Sequence, residues 1–411
     1  MEHFQESLSV NTYIFKTFNH LSETTTMLKK PTLKRQHTLT NHDIKYDYLV
    51  VGAGATGMCF VDVILRRTDK TVCLVDENVG PGGHWYNTYP YVKLHQPPQT
   101  YGIESIPLTQ DDGASIKKHF ETALTHFSTN KNFTALFNIR VDINNPSISH
   151  KTLVDARYLE VTHKPPSWNM VTPWSLPNPV KKTYVVVGGG KTGMDTCLYL
   201  KQHAEKVIWV ISHDAYWIKR ESIETGYGQY LRYTKCAKVM EWIVSTLPGW
   251  LALSLDTRIV SMVDRPERYR CGIVNESEWD TIQGVEIVRK GYVTNRVGDT
   301  LTFEDGSTLC VPNAVFVDCI QQGLPQRKTQ QIFQKHKIVL QPIAMCQPCF
   351  SATIIANMVA TNTRLDLEPV WHPKTCDDGV IGYAKSMTNL AKIHESKLKD
   401  IVFESRLNPY Y

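Results

Sequence analysis

Apolar positions along this chain follow two spacings in alternation, and the alternation occurs twice. Tyr46-Asp47-Tyr48-Leu49-Val50-Val51 is a short β-rich run. From Met58 to Arg67, Phe60, Val61, Ile64 and Leu65 share one helical face, and Thr71 to Val75 reads as a second strand. The pattern returns with a strand at Thr183 to Val187. Met194, Cys197 and Leu198 follow at helical spacing, and then a strand over Val207 to Ile211. Such strand–helix–strand order predicts parallel sheets that take ligands at the carboxyl ends of their strands. Farther on, Leu301-Thr302-Phe303 with Asp305-Gly306 predicts a hairpin, Ala314 to Val317 a strand, and Ala352 to Val359 a helix.

Outside these elements the pattern fails in informative places. Residues 1–45 are rich in Ser, Thr, His and Lys, and Lys29-Lys30-Pro31 and Lys34-Arg35 break any period, which predicts a poorly ordered extension. Glu2, Glu6 and Glu23 argue against a mitochondrial presequence, and there is no secretory pattern, so a cytoplasmic location is expected. The most apolar run, Trp242 to Leu255, is broken by Pro248-Gly249. It predicts a buried pair of helices rather than a membrane span.

The 411 residues, 42% hydrophobic and 21% charged, suffice for two or three domains with real cores. Lys+Arg exceed Asp+Glu by only 45 to 40, too little for a nucleic-acid surface but compatible with anionic cofactors. Ten scattered cysteines in so long a chain suit a reducing compartment better than a disulfide scaffold.

The first strand leads directly into Gly52-Ala53-Gly54-Ala55-Thr56-Gly57, and the second ends at Asp76-Glu77. Each part has a physical role in holding a dinucleotide. Gly52 permits the turn, Gly54 leaves room for a pyrophosphate, and Gly57 lets the helix approach the strand. The N–H groups around Ala55 and Thr56, at the positive end of the helix dipole, suit phosphate. Asp76, with Glu77 beside it, can accept from ribose hydroxyls. The second copy reads Gly188-Gly189-Gly190-Lys191-Thr192-Gly193. No acid directly ends its second strand; Ser212-His213 stands there, Asp214 follows, and Lys219 and Arg220 lie close by. A hydroxyl with nearby cations tolerates a 2′-phosphate, which favours NADPH over NADH, although the two cations also suit a solvated face.

Between the cradles lie Gly80-Pro81-Gly82-Gly83-His84-Trp85 and the proline-rich Tyr89-Pro90-Tyr91-Val92-Lys93-Leu94-His95-Gln96-Pro97-Pro98. Together with Asp76 and with Asp195 after Gly193, these segments resemble the class B flavin-dependent monooxygenases. They resemble more closely a group of FAD/NAD(P)-binding oxidoreductases that shares GGHW, LHQP (Leu94–Pro97), GKTGMD (Gly190–Asp195), Tyr269-Arg270-Cys271, VDC (Val317–Cys319) and CQPxFSA (Cys346–Ala352). The resemblance covers roughly residues 46–360. It implies an α/β fold of two Rossmann-like dinucleotide-binding domains, with the NAD(P) domain inserted into the FAD domain. The expected FAD domain is 46–180 plus a return segment at 310–365, entered by the strand Ala314–Val317. The NAD(P)H domain is 181–309, and 366–411 is an arm closing over the sheet or the site mouth.

The same resemblance implies FAD on the first cradle and NADP on the second, with Gly82, Gly83, His84, Trp85 and Asp318 beside the cofactor. It also implies hydride transfer from NADPH to FAD and then to molecular oxygen and a small organic substrate. His84 and His95 are expected nearest the flavin ring, as hydrogen-bond donors, proton carriers or loop braces; His95, after the Tyr-Pro pair, is the preferred catalytic candidate. Three departures bear on oxygen insertion. The fingerprint FxGxxxHxxxY is absent before the second cradle, where His163 to Trp168 stands instead. His95 replaces an Asp, and Ile320-Gln321 replaces a Thr-Gly. Two alternatives stay open: a flavoprotein without turnover, and a dithiol reductase using Cys346 and Cys349, a CxxC ahead of a helix. A lone CxxC is an incomplete metal site.

Overall fold

A computed structural model describes residues 46–161, 167–176, 182–224, 245–320, 324 and 327–409. The predicted 1–45 extension, the His163–Pro166 connection and residues 242–244 of the apolar run lie outside the described residues.

The chain begins with β1 (Tyr46–Val51), α1 (Ala55–Arg67), β2 (Val72–Val75), α2 (Gly113–Ser128), β3 (Phe133–Leu136) and β4 (His150–Asp155). It then forms β5 (Thr183–Val187), α3 (Lys191–Lys201) and β6 (Lys206–Ile211). A small sheet follows, from β7 (Ala215–Lys219), α4 (Gly249–Ser254), β8 (Ile259–Val260) and β9 (Arg268–Val274). Next come α5 (Glu276–Gln283), β10 (Glu286–Arg289), the meander β11 (Val293–Val297), β12 (Thr300–Phe303) and β13 (Thr308–Cys310), and β14 (Val315–Asp318). The chain closes with β15 (Lys337–Val339), α6 (Pro348–Ala360), α7 (Cys376–His394) and α8 (Lys399–Phe403).

Two parallel sheets carry the architecture. The first has strand order β15-β4-β1-β2-β3 and the second β10-β6-β5-β14. The chain leaves the first sheet after β4 and returns at β15, so the second sheet is an insertion in the first. Each central strand buries both faces, as parallel sheets require. In the first sheet Val50, Leu74 and Val154 face one cluster while Leu49, Cys73 and Leu153 face another. In the second, Tyr184, Val186 and Trp209 alternate with Val185, Val187 and Ile208 in the same way. α6 is apolar nearly all round, buries Cys349 through Met358 and packs along α1.

Three expectations need correction. The strand around Ala314–Val317 does not re-enter the first sheet; β14 pairs in parallel with β5 in the second, and the return is made by β15. Val315-Phe316-Val317 is apolar on both faces, so its periodicity names no sheet. Cys271 in β9 is bonded to Cys346, a pairing that the scattered cysteines did not predict. That bond splits the CxxC pair, and Cys349 is buried in the first turn of α6 at 1% exposure, so the dithiol-reductase alternative loses its dithiol. The predicted hairpin is present as β12 and β13. After residue 366 the chain is more than an arm: Met387, Leu390, Ile393, Leu398 and Leu407 join the first core. Arg406 donates to the carbonyls of Gln99 (2.7 Å), Tyr101 (3.1 Å), Glu104 (3.0 Å) and Ile106 (3.0 Å).

Candidate functional site

Both glycine motifs form the turn between a buried strand and a helix. Gly52 (φ +111°) and Gly188 (φ +133°) occupy backbone space that side-chain-bearing residues avoid. A Cβ on Gly57 would strike the Gly52 carbonyl, and one on Gly193 the Gly188 carbonyl, so each glycine lets its helix lie against the preceding turn. The helices start at Gly54 and Gly190, and neither end has a side-chain cap. Their first-turn N–H groups therefore remain available to an anion. Around Gly190 a Cβ would meet nothing within 4 Å. Ala55 and Thr56 open α1, and the Thr56 hydroxyl turns back to the Ala156 carbonyl at 3.2 Å.

Asp76 is only 8% exposed and braces the first cradle. It accepts from the Ala53 N–H at 2.6 Å and from the backbone and side-chain N–H of Asn78, each at 2.8 Å. A carboxylate has further lone pairs, so these bonds leave acceptor capacity for a ribose. Glu77 is exposed and lies 3.8 Å from Arg140. Gly82 (φ +108°) donates its N–H to the Ala53 carbonyl at 2.9 Å, and Gly83 sits against Gly54. Trp85 is buried and donates to the Tyr101 hydroxyl at 2.7 Å.

The proline-rich loop joins the two halves. The Tyr89 hydroxyl donates to Asp195 Oδ2 at 2.9 Å, and that of Tyr91 meets Thr196 Oγ1 at 3.1 Å. The Tyr91 ring stacks on Tyr199 with centroids 4.2 Å apart. Burial and the Asp195 carboxylate push the Tyr89 pKa upward, so the phenol keeps its proton and donates it. On the other side, Lys191 Nζ sits 2.9 Å from Asp195 and 3.1 Å from Glu278. Burial acts to lower the Lys191 pKa, but the two carboxylates outweigh it and the result is raised. Glu278 is held by a capping box with Asn275 at the start of α5.

His95 stands in this same junction. Burial lowers its pKa to about 3, helped by Lys191, His84 and Arg220 and opposed by Glu278. So weak a base is neutral near pH 7: it can form hydrogen bonds there but is poorly suited to carrying a proton. His84, next to Trp85, is exposed. The structure thus brings His84, His95 and Lys191 together. The Asn-x-x-Glu capping pattern was the signal for Glu278, and the GKTGMD segment already contained Asp195.

Two candidates lie elsewhere than expected. Arg220 Nη1 is 2.8 Å from Asp111 Oδ2 and lines a cleft of about 470 Å³ with Pro98, Gln99, Thr109, Gln110, Asp111 and Asp112. Its guanidinium is thus bound to the first half of the molecule. Asp318 ends β14 in the second sheet, where its carboxylate accepts from the N–H groups of Ser167 (2.6 Å) and Ile320 (2.8 Å). It is 2% exposed and braces the two loops that these N–H groups belong to. The cation beside Ser212-His213 is Arg268 of β9, which sequence reasoning missed. Its Nη2 lies 3.4 Å from His213 Nε2 and 3.3 Å from the Tyr292 hydroxyl, and its buried Nε has no partner. Asp214, the acid that would repel a phosphate, is paired with Arg289 at 2.8 Å.

Solved structures with a similar fold include an oxidized steroid monooxygenase bound to NADP. It is 14% identical with a TM-score of 0.51, over 78% of this chain and 85% of that one. A second is OTEMO in complex with FAD and NADP, also 14% identical at a TM-score of 0.51, over 77% and 84%. The fold is that of these monooxygenases. Uncharacterized proteins of Mycobacterium tuberculosis and Mycobacterium bovis match this chain at 29% identity over 427 residues, covering 89% of it and 78% of their own length. No protein-family model matches. No helix among the described residues is long and apolar enough to cross a membrane.

Proposed function

We propose that this chain is an FAD- and NADP(H)-dependent oxidoreductase of the flavin-monooxygenase kind. The observation that carries the reading is the pair of uncapped, glycine-lined helix starts, tied to one another by the Tyr89 hydroxyl of the proline-rich loop on Asp195 of the second helix. The residues present fit both groups: a side chain at Gly57 or Gly193 would close its cradle, and both first turns lack an acceptor.

In this reading the first cradle (Gly52, Gly54, Ala55, Thr56 and Gly57) holds the FAD pyrophosphate, Asp76 the ribose, and Gly82-Gly83 with Trp85 the approach to the ring. The second cradle (Gly188, Gly190, Lys191, Thr192 and Gly193) holds NADP(H). Ser212 and Arg268, rather than Arg220, take its 2′-phosphate. The FAD domain is the unit of the first sheet, including β15, and the inserted unit is the NADP(H) domain. The bound flavin supplies redox chemistry between NADPH, oxygen and a small organic substrate. The chain's own groups align the two carriers, and a neutral His95 offers its N–H at the junction. Lys191 stays charged and orients α3 through its two carboxylates.

Purified protein should be yellow, and anaerobic NADPH should bleach it faster than NADH does. A colourless protein that does not take up added FAD would overturn the reading. Oxygen uptake coupled to an added sulfide, amine or ketone would then identify the acceptor class.

A further inference from the structure

Cys271 and Cys346 come from distant parts of the chain, 75 residues apart in sequence, with Cα atoms 6.2 Å apart. One lies within β9, at the register shift of its pairing with β7; the other lies just before α6, after the return to the first sheet. Both hold left-handed backbone, φ 54° and 61°, which non-glycine residues adopt at a cost of about 1–3 kcal/mol and mostly at functional positions. A structural disulfide alone explains neither feature, nor the third member of the group. His372 brings a ring nitrogen to the same place, so that both sulfurs and this nitrogen lie within 4.8 Å of one another. His372 is half-buried, and its imidazole has no protein hydrogen-bond partner among the described residues that would hold it away from the sulfurs.

We propose that Cys271, Cys346 and His372 form a Zn²⁺ site in the reduced protein, with the disulfide as its metal-free oxidised form. Two sulfurs and one imidazole are a ligand set that zinc accepts, and three protein ligands leave a fourth position for water. A dithiol reductant opens the site: two electrons and two protons pass to the sulfurs, the S–S bond breaks, and the reductant closes into its own disulfide. Zn²⁺ then displaces the two thiol protons, and the two thiolates balance its charge. The site is separate from the dinucleotide cradles, so its fate does not depend on the flavin reading. Its consequence is mechanical. Either occupant ties β9 to the segment that leads into α6, the helix packed along α1 of the first cradle.

The test uses the full chain, stripped of metal and prepared anaerobically in two forms, dithiol-reduced and oxidised, with Co²⁺ as the probe. The reduced form should bind one Co²⁺ per chain with a sulfur-to-cobalt charge-transfer band that Zn²⁺ abolishes, and the oxidised form should show no band. Cys271→Ser and Cys346→Ser should abolish the band. His372→Ala should weaken Zn²⁺ binding by more than the ~10–100-fold that loss of a supporting partner costs. Cys310→Ser, at an exposed free cysteine, should change nothing. The comparison of reduced with oxidised wild type needs no substitution to fold. The absence of a band in the reduced form, or its survival in Cys271→Ser, overturns the site.

Discussion

Tyr89→Phe removes one oxygen atom from the junction between the two cradles, and its effect can be worked from the geometry. The lost bond is an O–H donor to an ionised carboxylate at 2.9 Å, with Tyr89 7% and Asp195 6% exposed. Hydrogen bonds to charged groups contribute about 1.5–3 kcal/mol, and here the acceptor stays buried after the donor is gone. Asp195 keeps Lys191 on its other oxygen, so the penalty falls on Oδ2. A cost of about 2 kcal/mol is expected in urea unfolding followed by tryptophan fluorescence, with flavin affinity unchanged. A cycle with Asp195→Ala isolates the pair, and its coupling should also come to about 2 kcal/mol. The same substitution should slow NADPH-driven flavin reduction by about tenfold, the rate equivalent of ~1.4 kcal/mol, because it loosens the alignment of the carriers. Additivity within about 0.3–0.5 kcal/mol would refute the reasoning, since that is how independent sites behave.

Other expectations follow from single contacts. Arg268→Ala should raise the Kd for NADPH by about 30-fold, equivalent to ~2 kcal/mol for a charge-assisted bond, while leaving NADH unchanged; equal losses for both would remove Arg268 from the 2′-phosphate. Gly57→Ala should abolish flavin retention, measured as bound FAD per chain, because its Cβ meets the Gly52 carbonyl; full loading would show that the turn can give way. His119 should make the protein acid-labile. It is 5% exposed, its Nε2 accepts from the Ile103 N–H at 3.0 Å, and burial, with Arg406 nearby, lowers its pKa to about 4. The unfolded chain binds the proton more readily, near pH 6.5, so this stability is complete above that pH and drains away as pH falls toward 4. Between pH 7 and pH 5 the wild type should lose about 2 kcal/mol more than His119→Gln in urea unfolding, and equal losses would refute the assignment.

The cradles were legible because their chemistry is local: Gly52 to Gly57, Gly188 to Gly193 and Asp76 each sit within a few residues of the strand or helix they shape. The junction was half legible. Tyr89, Tyr91 and His95 lay in a loop too irregular for a mere connection, but their partners Asp195, Thr196 and Tyr199 lie on a helix about a hundred residues away. Arg268 was hidden because β9 reaches Ser212-His213 through sheet pairing, whereas Arg220, nearer in sequence, pairs with Asp111. The Cys271–Cys346 bond was hidden because its cysteines are 75 residues apart, while Cys349 stands only three residues from Cys346 in a familiar CxxC spacing. β14 was misplaced because a strand buried on both faces carries no label for its sheet.

Arg406 imposes an order on how the molecule can be made. The loop it holds is fixed to it across about three hundred residues of sequence. Until residue 406 has left the ribosome, the 99–106 stretch lacks that lock, although the glycines of the nearby cradle were translated long before. Nascent chains arrested short of it should be cut by protease within that stretch, and released ones spared.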